Sequence, residues 1–345
     1  MVTRWHIYFL GLALLLLWIG CEEETTERQT VDLPDTLYSD MTIAAYSDVE
    51  LHDHLTVLEG VVMTVELGVH FLVDEGMIIR IEGSLIAQGS GDDPIVFKAA
   101  ASADEWYGIR STLEDDNVSA MELNHVQVKD CVQGIEISGY NTQLQNVKVS
   151  NSVIGITCYG DSGTILDDLE LRGCEIGLAI RNHSDVQIFH LWSHDNDVGI
   201  RAYNNRALLT QSVIENNHSG IVCELPDDSL RIIDNRIRNS ENGLMYYSTS
   251  HVVLHNNTIS NNTRGVLLVS YHRATTSVSH NNIINNSQYA MGYTDPVWPS
   301  DDAIDISNNW WGTTDSVAIA DRIIDVYDNP AYDTLRFVPY ALEQF

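Results

Sequence analysis

The chain has 345 residues and carries 49 Asp and Glu against 18 Lys and Arg, a formal net charge of −31. Such a surface repels phosphates and argues against a nucleic-acid partner, while the length suffices to bury a core in one elongated domain. Only Lys98, Lys129 and Lys148 are lysines, against 15 arginines, and acid-rich, lysine-poor composition suits brine, where self-repulsion is screened within a few ångströms.

Arg4 and His6 precede an apolar run of 13 residues, Ile7 to Ile19, ended by Gly20-Cys21. A membrane span needs about 20 apolar residues, so the run fits the h-region of a signal peptide. Leu17-Trp18-Ile19-Gly20-Cys21 resembles the bacterial lipobox, with a small residue before the cysteine. Trp18 departs from the pattern, because Leu17 stands one place early. The resemblance implies cleavage before Cys21, lipidation of Cys21, and membrane attachment by lipid anchor only. Cys21-Glu22-Glu23-Glu24 resembles the surface-export signals of some Gram-negative lipoproteins, which implies the outer membrane or cell surface. Three segments are expected: signal peptide 1–20, acidic tether 21–45 and folded domain 46–345. Cleavage makes the net charge −32, since residues 1–20 hold Arg4 and no acid.

Residues 46–120 alternate apolar and polar positions between glycines, as strands do. From Leu123 to Gly292 one pattern is written eight times, marked by Gly134, Gly155, Gly177, Gly199, Gly220, Gly243, Gly265 and Tyr289. Successive marks are 21 to 24 residues apart. Aliphatics recur eleven and six places before the mark and one after it. Repetition at this period means a solenoid. The period-2 alternation inside each repeat makes it a β-solenoid of about 22-residue coils, a parallel β-helix. The regular repeats run from about 121 to 312, with a C-terminal cap over 313–345. Eight places before the mark the column ends in Asn235, Asn257, Asn281 and Asn309. Stacked amides there can bond along the axis, a stability device.

The last coil needs a plug against an open sheet edge. Thr314 or Asp315 can N-cap a helix from Ser316 to about Tyr327, with Trp310 and Trp311 packed beneath it. Cys131 and Cys174 share one column two coils apart, and Cys158 and Cys223 another, three coils apart. At about 4.8 Å per coil neither pair reaches the roughly 7 Å Cα separation of a disulfide, so all four are expected as free thiols.

Ile81-Glu82-Gly83-Ser84-Leu85-Ile86-Ala87-Gln88-Gly89, Asp93-Pro94-Ile95-Val96-Phe97 and Trp106-Tyr107-Gly108-Ile109 resemble the opening coils of pectate-lyase-like proteins. Asn308-Asn309-Trp310-Trp311-Gly312-Thr313 is similar to their closing coil. The resemblance covers roughly residues 50–340. It implies an all-β, right-handed parallel β-helix with a short C-terminal capping helix. Activity does not follow, since that superfamily holds lyases, hydrolases, epimerases and adhesins.

Lyases of this superfamily use an arginine base with calcium on clustered aspartates, and its hydrolases use several aspartates on one sheet. The strand after the mark has neither. Its outward acids Glu136 and Glu224 lie four coils apart, about 19 Å, whereas a glycosidase pair needs about 5–9.5 Å. The turn before the mark gathers His194, Asp195 and Glu215 on adjacent coils, with Arg172 one coil below. An imidazole beside carboxylates is a weak candidate for acid/base catalysis. Acidic pairs such as Asp92-Asp93, Asp115-Asp116, Asp167-Asp168, Asp227-Asp228 and Asp301-Asp302 could offer oxygens to calcium, but no calcium motif is present, and no metal or cofactor is assigned.

Four places after the mark, Tyr159, Tyr203, Tyr247 and Tyr293 fall on every second coil, with Arg181 and Arg201 beside them. Two coils rise about 9.6 Å, near the length of a disaccharide unit. Aromatic faces and arginine forks suit sugar rings and sugar carboxylates. The expected function is therefore a cell-envelope lipoprotein presenting a face to polysaccharide for binding or scaffolding. The alternatives are a polysaccharide lyase or glycoside hydrolase near His194, and an adhesive or structural protein without sugar affinity.

Overall fold

The computed structural model describes residues 28–111, 120–138, 142–160, 162–182, 184–203, 206–224, 229–247, 251–269, 277–295 and 303–345. The chain is an all-β parallel solenoid of about 11 turns, roughly 22 residues each. Three parallel sheets run along it. Sheet A extends from Met41–Ile43 to Ser277–Ser279, sheet B from Gln29–Val31 to Asn282–Ile284, and sheet C from Thr36–Leu37 to Ile323–Ile324. Within a repeat, the aliphatic eleven before the mark lies in sheet A, the one six before in sheet B, and those after the mark in sheet C. Alternate residues, among them Leu166, Leu171 and Leu178, point inward and are fully buried.

In the regular coils, the corners on either side of sheet B each hold a left-handed residue. Between sheets A and B stand His125, Asn146, Asp168, His190, Gln211, Asp234, Asn256, His280 and Asn308, with φ from 50° to 61°. Between B and C stand Asp130, Asn151, Gly173, Asp195, Asn216, Asn239, Asn261 and Asn285. Asn and Asp are enriched there because their short polar side chains tolerate positive φ.

The residue after each corner points inward. After the A–B corner, Asn235 Nδ2 donates to Asn257 Oδ1 (3.1 Å), Asn257 to Asn281 (3.0 Å) and Asn281 to Asn309 (3.0 Å). This is the expected amide stack. A second ladder follows the B–C corner, where Asn196 donates to Asn217 and Asn262 to Asn286, each at 3.1 Å. Cys131, Ser152 and Cys174 begin that same column.

The glycine mark has a steric cause. A Cβ on Gly155 would lie 2.5 Å from the carbonyl oxygen of Gly177, and one on Gly199 2.6 Å from that of Gly220. Neighbouring coils approach too closely there for any side chain.

Three expectations need correction. The solenoid begins before residue 46: Gln29–Val31 pairs with Ser47–Leu51, Thr36–Leu37 with Leu55–Val57, and Met41–Ile43 with Val62–Val65, so the second half of the expected tether is already folded. The capping helix is one short turn, Ser316–Ala320, N-capped by Asp315, whose side chain accepts from the Val317 N–H. It stops early because Ile323–Ile324 adds a last strand to sheet C. Trp311 is buried, as expected, whereas Trp310, expected beside it, is only half-buried. Third, Val266 pairs with Met291 and Leu268 with Tyr293. The eighth mark is therefore Ala290, and one extra residue flips the face. Tyr293 points inward, 2 % exposed.

Candidate functional site

Sheet B presents the most developed outer face. In the strand Trp192–His194, Ser193 points into the core while Trp192 and His194 share the outside. Their rings stack with centroids 3.9 Å apart and an interplanar angle of 23°. Trp192 Nε1 donates to Glu215 Oε1 (2.9 Å), and Arg238 Nε donates to Glu215 Oε2 (2.8 Å). His194 Nδ1 lies 2.7 Å from Asp195 Oδ2, and its Nε2 lies 3.6 Å from Glu170 Oε1. Trp192 remains 42 % exposed and covers His194, which is 7 % exposed.

Glu170 ties the next coils together. Lys148 Nζ is 2.8 Å from its Oε2, and Arg172 Nε 3.6 Å from its Oε1. Burial opposes ionisation of Glu170, but the Lys148 hydrogen bond and charge, followed by His194 and Arg172, outweigh it and lower its pKa. The group is an anion locked among cations.

A groove of about 500 Å³ runs beside this face. Its floor includes Lys148, Glu170 and Trp192, the A–B corner supplies Asn146, Asp168 and His190, and Ser90, Gly91 and Pro94 form a wall. The volume is that of ordinary ligand clefts, about 300–1,000 Å³. His190 Nδ1 lies 2.7 Å from Asp167 Oδ1. That hydrogen bond is the main reason the imidazole pKa is raised. Asp167, Asp168 and His190 are the one trio among the described residues whose ligand atoms lie within 4.8 Å of one another.

The expected constellation is only partly assembled. His194 and Asp195 meet, but Glu215 reaches them through Trp192 and gives its second oxygen to Arg238. Glu170, Trp192 and Lys148 were missed because the turn residues five and four before the mark were read together. Residues two apart on a strand share a face, so the partner column of His194 is the one seven before the mark.

The tyrosine column of sheet C is less continuous than expected. Arg181 Nη1 donates to Tyr159 Oη (3.3 Å) and the guanidinium lies 5.7 Å from that ring's centroid. Arg201 is engaged by Glu224 through Nη2 to Oε1 (2.7 Å) and Nε to Oε2 (3.2 Å), which neutralises a cation expected for sugar carboxylates. Tyr247 packs with Met245 on an apolar cluster of Leu267, Val269 and Tyr289. Tyr203 stays open, 39 % exposed. Cys21 and the pairs Asp115-Asp116, Asp227-Asp228 and Asp301-Asp302 lie outside the described residues.

Residues 154–310 match the profile of the right handed beta helix region, and residues 74–230 that of the periplasmic copper-binding protein NosD. No curated protein matches the chain. The A-module of the Azotobacter vinelandii mannuronan C-5 epimerase AlgE4 is 13 % identical, with 92 % of this chain and 89 % of that one covered and a TM-score of 0.55. A mutant of the periplasmic alginate epimerase AlgG is 13 % identical, with 91 % and 84 % covered and a TM-score of 0.50. Identity this low shows the fold alone. The chain is a right-handed parallel β-helix, the architecture that its resemblance to pectate-lyase-like proteins implied.

Proposed function

We propose that this β-helix is a polysaccharide-binding protein of the bacterial cell envelope, holding a glycan chain in the groove along sheet B. The observation that carries the reading is the Trp192 platform. One ring face rests on His194, the ring nitrogen is fixed by Glu215, and the residue borders the groove with 42 % of its surface open. A rigid, half-exposed aromatic with a wet edge is what a sugar ring stacks on at little entropic cost.

Binding suits these residues better than catalysis. A hydrolase needs a protonated carboxyl beside the scissile bond. Glu170 is held as an anion by Lys148, Arg172 and His194, while both Glu215 oxygens are engaged. His194 lies beneath Trp192, away from the groove. Among the described residues the one candidate metal trio does not suit copper, which is named for the family matched over residues 74–230. Cys131, Cys158, Cys174 and Cys223 are buried, and the Asp167–Asp168–His190 trio offers two carboxylates and one imidazole engaged with Asp167, whereas copper sites rely on thiolate, thioether or several imidazoles.

A glycan array with the wild-type chain, then calorimetry with Trp192→Ala on any hit, tests the proposal. Binding that Trp192→Ala weakens by tenfold or more is expected, without change in the product profile of the glycan. Release of shorter or unsaturated products would move the protein to the lyase or hydrolase alternative, and no glycan bound at all would leave an adhesive or structural role. Presentation on lipid rests on the Leu17–Cys21 motif. Metabolic labelling with a fatty-acid probe should mark wild type and not Cys21→Ala.

A further inference from the structure

All three lysines of this acidic chain stand on one face of one sheet. Lys98 and Lys129 pair directly in register on neighbouring strands of sheet B. Lys148 follows on the next coil, paired with Gln127, and Arg172 on the coil after, paired with Ser150. Across these four coils the eight outward positions of sheet B are Val96, Lys98, Gln127, Lys129, Lys148, Ser150, Glu170 and Arg172. They hold four cations and one carboxylate, in a chain with 49 acids.

The arrangement is costly where it is least compensated. Like charges directly opposite on adjacent strands repel. Among the described residues neither Lys98 nor Lys129 is in a salt bridge, and Glu170 is shared by Lys148, Arg172 and His194. The cations also reach their surroundings: after burial, the charges of Arg28, Lys98 and Lys129 contribute to lowering the pKa of His70, against the opposing pull of Asp48. Acids are plentiful elsewhere on the surface, so leaving two facing lysines without one is a local feature of this stripe.

We infer that the stripe Lys98–Lys129–Lys148–Arg172 selects a polyanionic glycan, with anionic groups repeated along its chain, laid on the outer face of sheet B, where Lys148 lines the groove beside Trp192 and the other three cations stand outside its lining. The inference rests on the polysaccharide reading and adds its substrate class. Stacked strands place successive cations about 4.8 Å apart along the axis, which suits a chain laid parallel to the solenoid with charge on consecutive sugars. Lysine ammoniums are point charges, not planar forks, so carboxylated and sulfated glycans share the recognising chemistry. The surrounding acids repel the same ligand from other faces, which confines it to the stripe.

Calorimetry at low and high salt tests this with four probes: oligogalacturonate, its carboxyl-reduced neutral counterpart, dextran sulfate and dextran. Wild type should favour each anionic probe over its neutral partner by about tenfold or more, with the gap closing in high salt. The double variant Lys98→Gln/Lys129→Gln leaves no carboxylate orphaned and should retain the wild-type melting temperature or exceed it. It should lose most of the anionic preference and none of the neutral affinity. The relative affinities for oligogalacturonate and dextran sulfate identify the anion. Equal wild-type affinity for charged and neutral partners, or an anionic preference untouched by the double variant, overturns the inference and leaves the polysaccharide reading standing. Binding to none of the four overturns the inference too, and the array of the previous section then decides the reading itself.

Discussion

Trp192 and His194 stack face to face at 3.9 Å on one strand of a parallel sheet, with the indole outside and the imidazole underneath. Each ring is pinned on its free edge, the indole by Glu215 and the imidazole by Asp195. The imidazole serves as the bed of the indole. Trp192→Ala should weaken binding of a confirmed glycan by tenfold or more, since stacking and one fixed hydrogen bond are lost together, about 1.5–3 kcal/mol. Trp192→Phe should lose less. Both should fold normally by circular dichroism, because the ring is largely outside the core.

Tyr203→Ala discriminates the two faces. Tyr203 is the open member of the sheet C column, while Arg201 beside it is already paired with Glu224. Its removal should change glycan affinity by less than about threefold, under 1 kcal/mol. A loss equal to that of Trp192→Ala would place the ligand across sheet C.

The architecture was legible in the sequence because period-2 alternation within a 22-residue period has one steric solution, and because Gly at the mark and Asn at the corners are demanded by backbone geometry. What escaped has physical reasons. The extra residue before Ala290 flips Tyr293 inward, and nothing in composition distinguishes an inward from an outward tyrosine. The second amide ladder was hidden because its column opens with Cys131, Ser152 and Cys174 before the asparagines begin. Trp192 was overlooked because only its neighbours across coils, Glu170 and Glu215, turn an exposed tryptophan into a fixed platform.

Cys131, Cys158, Cys174 and Cys223 are buried and form no disulfide. Burial pushes Cys131 and Cys223 up to about 12, so almost no thiolate exists at neutral pH to attack an alkylating agent. Iodoacetamide should label none of the four in the native protein at pH 8 and all four after denaturation without reductant. Labelling of fewer than four in the denatured chain would mean a disulfide and a different coil register.

Glu136 is a buried carboxyl on the outer side of sheet C, 7 % exposed, with Arg110 Nε 3.2 Å from its Oε1. Burial raises its pKa, offset in part by Arg110 and Arg181. A carboxyl with a raised folded pKa binds its proton more tightly in the native state. The contribution to stability is complete below the unfolded value of about 4.5 and is lost as pH rises through the folded pKa. Glu136→Gln should therefore raise the urea midpoint at pH 7 relative to wild type and leave it nearly unchanged at pH 4. The opposite ordering would show that the Arg110 pairing outweighs desolvation.

Asn257 tests what holds the coils in register. Its Nδ2 donates to Ile232 O (2.7 Å) and to Asn281 Oδ1 (3.0 Å), while its Oδ1 accepts from Asn235 N (2.9 Å) and Asn235 Nδ2 (3.1 Å). The residue is fully buried, so Asn257→Ala strands donors and acceptors from which water is excluded, at about 2–4 kcal/mol. Its neighbour Asn256 separates this role from that of the corner. Asn256 is exposed and holds a φ of 57° without belonging to the ladder. Asn256→Gly should be close to neutral, whereas Asn256→Ala should cost about 1–2 kcal/mol for the left-handed backbone. In a solenoid each coil is supported mainly by its neighbours. Hydrogen exchange in Asn257→Ala should therefore rise first in the strands Ser229–Ile233, His251–His255 and Ser277–Ser279, and least near Leu55–Val57. Uniform acceleration along the whole axis would show that the ladder acts on global stability and not on the stacking of adjacent coils.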